Sequence, residues 1–163
     1  MANPYRGDIP ANPNAGHPRG AAEIRAHWRR LSELAFREAL RSDPTLRERY
    51  DERALRVFYR DYERHLEQLT RALASGSDEL VQQYGEWLVP LMRRRRVPTQ
   101  DFITFIAAMA PAVRTVLTPA EDETAQGIID RWIARQRKAK RLAGDRKRNP
   151  VLSFFWRGVG IAD

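Results

Sequence analysis

The sequence contains no cysteine. That absence excludes a disulfide framework, a cysteine-ligated zinc site, an iron–sulfur cluster and thiol catalysis. Histidine is almost as scarce, with three in 163 residues, at His17, His27 and His65. A glycine-rich phosphate loop, a His-Glu-x-x-His pair, a Gly-x-Ser-x-Gly elbow and EF-hand spacing are all missing. A four-helix di-iron site needs Glu-x-x-His pairs, and the chain has none. No apolar run approaches the roughly 18 residues of a spanning helix. The N-terminus lacks the apolar stretch of a secretory signal, so the expected location is cytoplasmic. No segment alternates apolar and polar residues over a useful length, which argues against a sheet.

What is present is charge, unevenly placed. The formal charge is +8, from 29 Lys+Arg against 21 Asp+Glu. Residues 1–130 balance, whereas from 131 onward ten basic side chains stand against only Asp145 and Asp163. A polyanion would therefore meet the C-terminal segment rather than the body of the protein.

Helical periodicity predicts an all-α domain, a bundle of five helices around one core over residues 21–143. Residues 1–20, with Pro4, Pro10, Pro13 and Pro18 among glycines, read as a flexible arm. Residues 144–163 read as a basic and aromatic tail. Ile24, Trp28, Leu31 and Ala35 share one face of the first helix. Asp43-Pro44 suggests an N-cap with proline at the first helical position, opening a long helix over about 44–74. Its inward stripe is Leu55, Phe58, Tyr62, Leu66, Leu69 and Leu73. Ser75-Gly76-Ser77 ends it. A third helix over about 78–95 places Leu80, Tyr84, Trp87, Leu88 and Leu91 on one face, with Pro90 inside it. The fourth carries Phe102, Phe105, Ile106, Met109, Val113 and Val116, again with an internal proline, Pro111. Thr118-Pro119-Ala120-Glu121 has the form of a capping box and opens a fifth helix through Ile128, Ile129, Trp132 and Ile133.

Three groups of residues are candidates for function. Tyr62, His65, Tyr84, Trp87, Phe102, Phe105 and Met109 are placed to wall an apolar ligand pocket, or to fill a core. Within that group, His65 could ligate a haem or be a packed, hydrogen-bonded imidazole. Two carboxylate–histidine pairs, Glu23 with His27 and Asp61 with His65, fall at i, i+4, where each acid can orient its imidazole or share a metal with it. An enzyme would have to assemble its catalytic groups from these histidines and carboxylates without a recognisable motif. Arg93–Arg96 form a positive run at a helix C-terminus, suited to a solvated cap or to an anion or partner site. The last group is Arg135, Arg137, Lys138, Lys140, Arg141, Arg146, Lys147 and Arg148 with Phe154, Phe155 and Trp156. These can fold onto the bundle, dock in a protein partner, or engage nucleic acid or an anionic membrane surface.

The run Asp61-Tyr62-Glu63-Arg64-His65-Leu66-Glu67-Gln68-Leu69 is followed by Ala72-Leu73, Gly76-Ser77, Leu80, Tyr84, Trp87-Leu88, Val97-Pro98 and Asp101-Phe102. This spacing resembles the helical N-terminal modules of bacterial cobalamin-binding regulators, and also the globin-like, haem-free sensor domains of bacterial stress signalling. The resemblance covers about residues 45–120. It implies a globin-like fold and a sensory or regulatory role without catalysis, in a homodimer. The expected protein partner is one engaged by the basic, aromatic C-terminal tail, and the bundle is expected to hold a small apolar ligand. The Asp-x-His-x-x-Gly signature of cobalamin binding is absent, so that ligand is not implied, and no cofactor is expected.

Overall fold

The computed structural model describes residues 16–148. They form α1 (Pro18–Ala26), α2 (Trp28–Ser42), α3 (Leu46–Arg49), α4 (Glu52–Ser75), α5 (Glu79–Arg94), α6 (Thr99–Ala107), α7 (Met109–Arg114) and α8 (Pro119–Arg148), with no strand among the described residues. The all-α class stands, but five helices do not: there are seven of six residues or more, plus the four-residue α3.

Each extra break has a local cause. Pro18 sits in the first turn of α1, where its missing N–H costs nothing, so the helix begins inside what the sequence suggested was an arm. At His27 the ring Nδ1–H donates to the Glu23 carbonyl oxygen at 3.0 Å, and the backbone departs from helical geometry (ψ 14°), separating α1 from α2. Asp43-Pro44 opens only the α3 turn. The cap of the long helix is Asp51, whose carboxylate accepts from Ala54 N–H at 2.8 Å. Pro111 cannot donate to the Ala107 carbonyl and its ring crowds that oxygen, and the chain breaks there into α6 and α7. Pro90, on the solvent side of α5, is accommodated without a break.

Two helix ends use left-handed residues. Gly76 (φ 69°) ends α4, its N–H donating to the Ala72 carbonyl. Arg96 (φ 57°) ends α5, where Val97 N–H closes back on the Met92 carbonyl at 2.9 Å.

Helix α4 is the central element, packed against α1, α2, α5 and α8, while α6 and α7 close the far side against α2 and α8. Tyr62, Leu66, Leu69 and Leu73 of α4 meet Ile24, Leu31, Ile106, Met109, Ile128 and Trp132 in one continuous core. Helices α5 and α8 run in the same direction. Asp78 at the start of α5 pairs with Arg131 at 2.9 Å, and Arg93 near its end shares a groove with Lys140. The glutamate half of the capping box forms, with Thr118 N–H donating to the Glu121 carboxylate at 2.8 Å. Glu121 is also gripped by Arg19 of α1, at 2.9 and 2.6 Å. Among the described residues no helix is long and apolar enough to cross a membrane.

Candidate functional site

His65 lies in the middle of α4 and is buried. Its Nδ1 shares a 3.0 Å hydrogen bond with the Tyr84 hydroxyl of α5. Four aromatic rings stand edge-on around it: Tyr84 at 5.8 Å, Phe102 at 5.8 Å, Trp132 at 5.9 Å and Tyr62 at 6.0 Å between ring centres. Burial pushes the imidazole down to about pKa 3, with the positive charges of Arg64 and Arg95 acting in the same direction. The ring is therefore neutral at neutral pH. Burial also raises the Tyr84 hydroxyl far above its ordinary range.

The carboxylate–histidine pairing expected within α4 does not form. Asp61 turns to Arg95, 2.9 Å away, and leaves His65 to Tyr84. At the other pair, His27 bonds the Glu23 backbone carbonyl and stays 3.7 Å from its carboxylate. No group of three histidines and acids placed to hold a metal occurs among the described residues. The ring-to-ring contacts of His65 also do not fit an axial ligand, since a haem face would need the space held by Phe102 and Trp132.

The structure brings Tyr62, His65, Tyr84 and Phe102 together. Tyr62 is fully buried and donates its hydroxyl proton to the Phe105 carbonyl at 2.9 Å. Phe105 stacks on Phe58 at 4.5 Å, and Met109 is sealed in the core. Trp87 is placed elsewhere: it faces solvent, 54% exposed, stacked on the outer side of Tyr84 at 6.0 Å. The reason is angular. On α5 the buried set is Val81, Gly85, Leu88 and Met92, so the stripe of Leu80, Tyr84, Trp87 and Leu91 is turned toward the surface. Leu80 is 42% exposed and Tyr84 straddles the boundary. Beside them an open groove of about 580 Å³ runs past Tyr84, Trp28, Arg64 and Gln68.

Sequence reasoning missed two participants. Trp132 reads as ordinary core of the last helix, yet it abuts His65, and its Nε1–H has no hydrogen-bond acceptor. Asp101, inside the most apolar helix, is buried and accepts from Tyr50 Oη at 2.6 Å and from Arg49 at 2.9 Å. An acid within an apolar run was the available signal for the second.

Of the basic group, Arg135, Arg137, Lys138 and Lys140 are exposed on α8, and none forms an ion pair among the described residues. Arg141, Arg146, Lys147 and Arg148 continue the backbone of α8. Phe154, Phe155 and Trp156 lie outside the described residues. In the Arg93–Arg96 run, Arg95 is committed to Asp61 and Arg96 to the helix-ending turn. No family model matches the chain, and no curated protein matches it.

Proposed function

We propose that this chain is a non-enzymatic regulatory adaptor that binds a protein partner through the outward aromatic face of α5. The observation that carries the reading is Trp87, more than half exposed and stacked on Tyr84, whose hydroxyl is in turn held by the buried His65. A large apolar ring left in water at the surface, with its rotamer supported from beneath, has the character of an interface anchor. Leu80, Tyr84 and Trp87 recur at i, i+4 and i+7, which suits an amphipathic partner helix, and Tyr84 also lines the groove against α4. A regulatory role is also what the resemblance to bacterial sensor modules implies. The neutral, fully packed His65 favours support over catalysis, because an imidazole held at about pKa 3 is a poor proton acceptor at neutral pH.

Photo-crosslinking from position 83, an exposed site one turn before Trp87, compared with position 123 on the exposed side of α8, identifies what binds there. Titration of that partner should then be weakened by Trp87→Ala about 30-fold or more. The thermal midpoint should be unchanged, since the ring contributes little to the core. Equal affinity for the variant removes the reading. A second copy of the chain as the crosslinked species would make this face the dimer interface.

A second reading rests on four exposed cations of α8 that form no ion pair among the described residues. We infer that, if Arg135, Arg137, Lys138 and Lys140 act together, they bind a polyanion by charge. Four phosphate contacts on duplex DNA give a slope of about −3 to −4 for log K against log salt. Triple reversal at Arg137, Lys138 and Lys140 to Glu should abolish that binding. A salt-independent affinity would exclude this mode.

A further inference from the structure

A cleft of about 310 Å³ opens between the start of α4 and the end of α5, away from Trp87. It is at the small end of the range for small-molecule sites, about 300–1,000 Å³. Its walls are Tyr50, Ala54, Val57, Phe58 and Val97. They are held firmly. Tyr50 is fixed through its hydroxyl to the buried Asp101 at 2.6 Å and meets Phe58 edge-on at 4.9 Å, and Phe58 is backed by Phe105 at 4.5 Å. A flat apolar slot is thus already formed, with little ordering left to be done on binding.

The rim is positive. Arg53 has no ion-pair partner among the described residues. Arg95 commits Nη1 to Asp61 at 2.9 Å, and the rest of its donor fork makes no further hydrogen bond among the described residues. The one acid at the rim, Asp51, is occupied in capping α4 through Ala54 N–H. Apolar walls with unspent guanidinium donors at the edge are complementary to a flat ring carrying an anionic head. We propose that this cleft is a binding site for a small aromatic carboxylate, its ring against Tyr50 and Val57 and its carboxylate at Arg53 and Arg95. The site is independent of the α5 surface and of the reading built on it.

The test titrates the full chain with naphthoate and with its neutral amide, naphthamide, followed residue by residue by NMR. Naphthoate should give saturable shifts clustered at residues 50–58 and 95–97. Naphthamide should bind about tenfold more weakly, the loss expected of one charge-assisted hydrogen bond. Arg53→Gln, at an exposed position, should weaken naphthoate about fivefold or more without changing the fold. Val57→Trp should fill the slot and abolish binding, and Trp87→Ala should leave it intact. The proposal is overturned by non-saturable shifts, by shifts centred on residues 80–91, or by equal affinity for naphthoate and naphthamide.

Discussion

His65 is a titratable group carried into the core in its neutral form, and this makes it the residue with the clearest pH signature. Its pKa falls from 6.5 to about 3 on folding, so between those values the unfolded chain binds a proton that the folded chain does not. Stability is therefore complete above about pH 6.5 and declines as the pH falls. The loss between pH 7 and pH 5 should be on the order of 2 kcal/mol. Chemical denaturation at the two pH values measures it, and His65→Phe should flatten the difference. A slope that survives His65→Phe would place the proton uptake on another group. Tyr84 shares the hydrogen bond but stays protonated throughout, and burial raises the Asp61 carboxyl in spite of Arg95, so its proton uptake favours the folded chain and opposes the His65 effect. The same residue explains why Trp87 is a cleaner probe of binding. Trp87 is more than half exposed and stacks on Tyr84 at the edge of the cluster, so its removal should disturb the core little.

At the scale of elements, the α5/α8 crossing is set by Gly85. A Cβ there would stand 2.9 Å from both Trp132 Nε1 and Gln136 Nε2. The Gln136 amide can swing away, but the indole is hemmed in by His65, Tyr84 and Phe102. Gly85→Ala should therefore cost about 1–2 kcal/mol in spite of its better helix propensity. Gly127→Ala on α8, where the added carbon meets only the end of Arg131, should gain about 0.5–1 kcal/mol. Arg96→Gly should likewise gain about 1 kcal/mol, because the helix-ending turn holds an arginine in left-handed geometry. Denaturant midpoints of the three variants check the two signs together.

The contrast also shows where the sequence was readable. Apolar spacing of three and four placed Tyr62, Leu66 and Leu69 inward, and the Gly76 stop and the Thr118–Glu121 box were visible as local chemistry. Periodicity alone could not decide that Pro111 breaks a helix and Pro90 does not, since that depends on which side of the helix faces water. Nor could it orient α5. Two overlapping apolar stripes, Leu80/Tyr84/Trp87 and Val81/Gly85/Leu88, compete for the core, and the one containing glycine faces inward because it allows the closer approach to α8. The buried Asp101 network depends on residues 52 positions apart and leaves no periodic trace.

For the molecule as a whole, the first helix acts as a clasp. His17 N–H reaches the Leu73 carbonyl at the end of α4, its ring meets Thr124 of α8, and Arg19 holds Glu121 through two bonds. Chiefly through the bonds from Arg19, the Glu121 carboxyl is held at about pKa 2. A chain begun at Ala21 loses both Arg19 bonds, the His17 bonds and the packing of Gly20 on Glu121, a loss of about 1–3 kcal/mol. It should melt roughly 3–10 °C below a chain begun at Gly16, as read by calorimetry. Equal midpoints would show that α1 is an ornament rather than a tie. The tryptophans carry a further consequence of this arrangement. Trp132 is buried, its Nε1–H without a hydrogen-bond acceptor among the described residues, whereas Trp87 stands more than half exposed on α5. Indole emission reports the polarity around the ring, so the first should emit at short wavelength and the second at long. With the other two indoles, Trp28 and Trp156, replaced by phenylalanine, covering α5 would shift the spectrum to the blue, while opening the core by acid would shift it to the red. The remaining pair of rings then gives an optical signal that distinguishes being bound from coming apart.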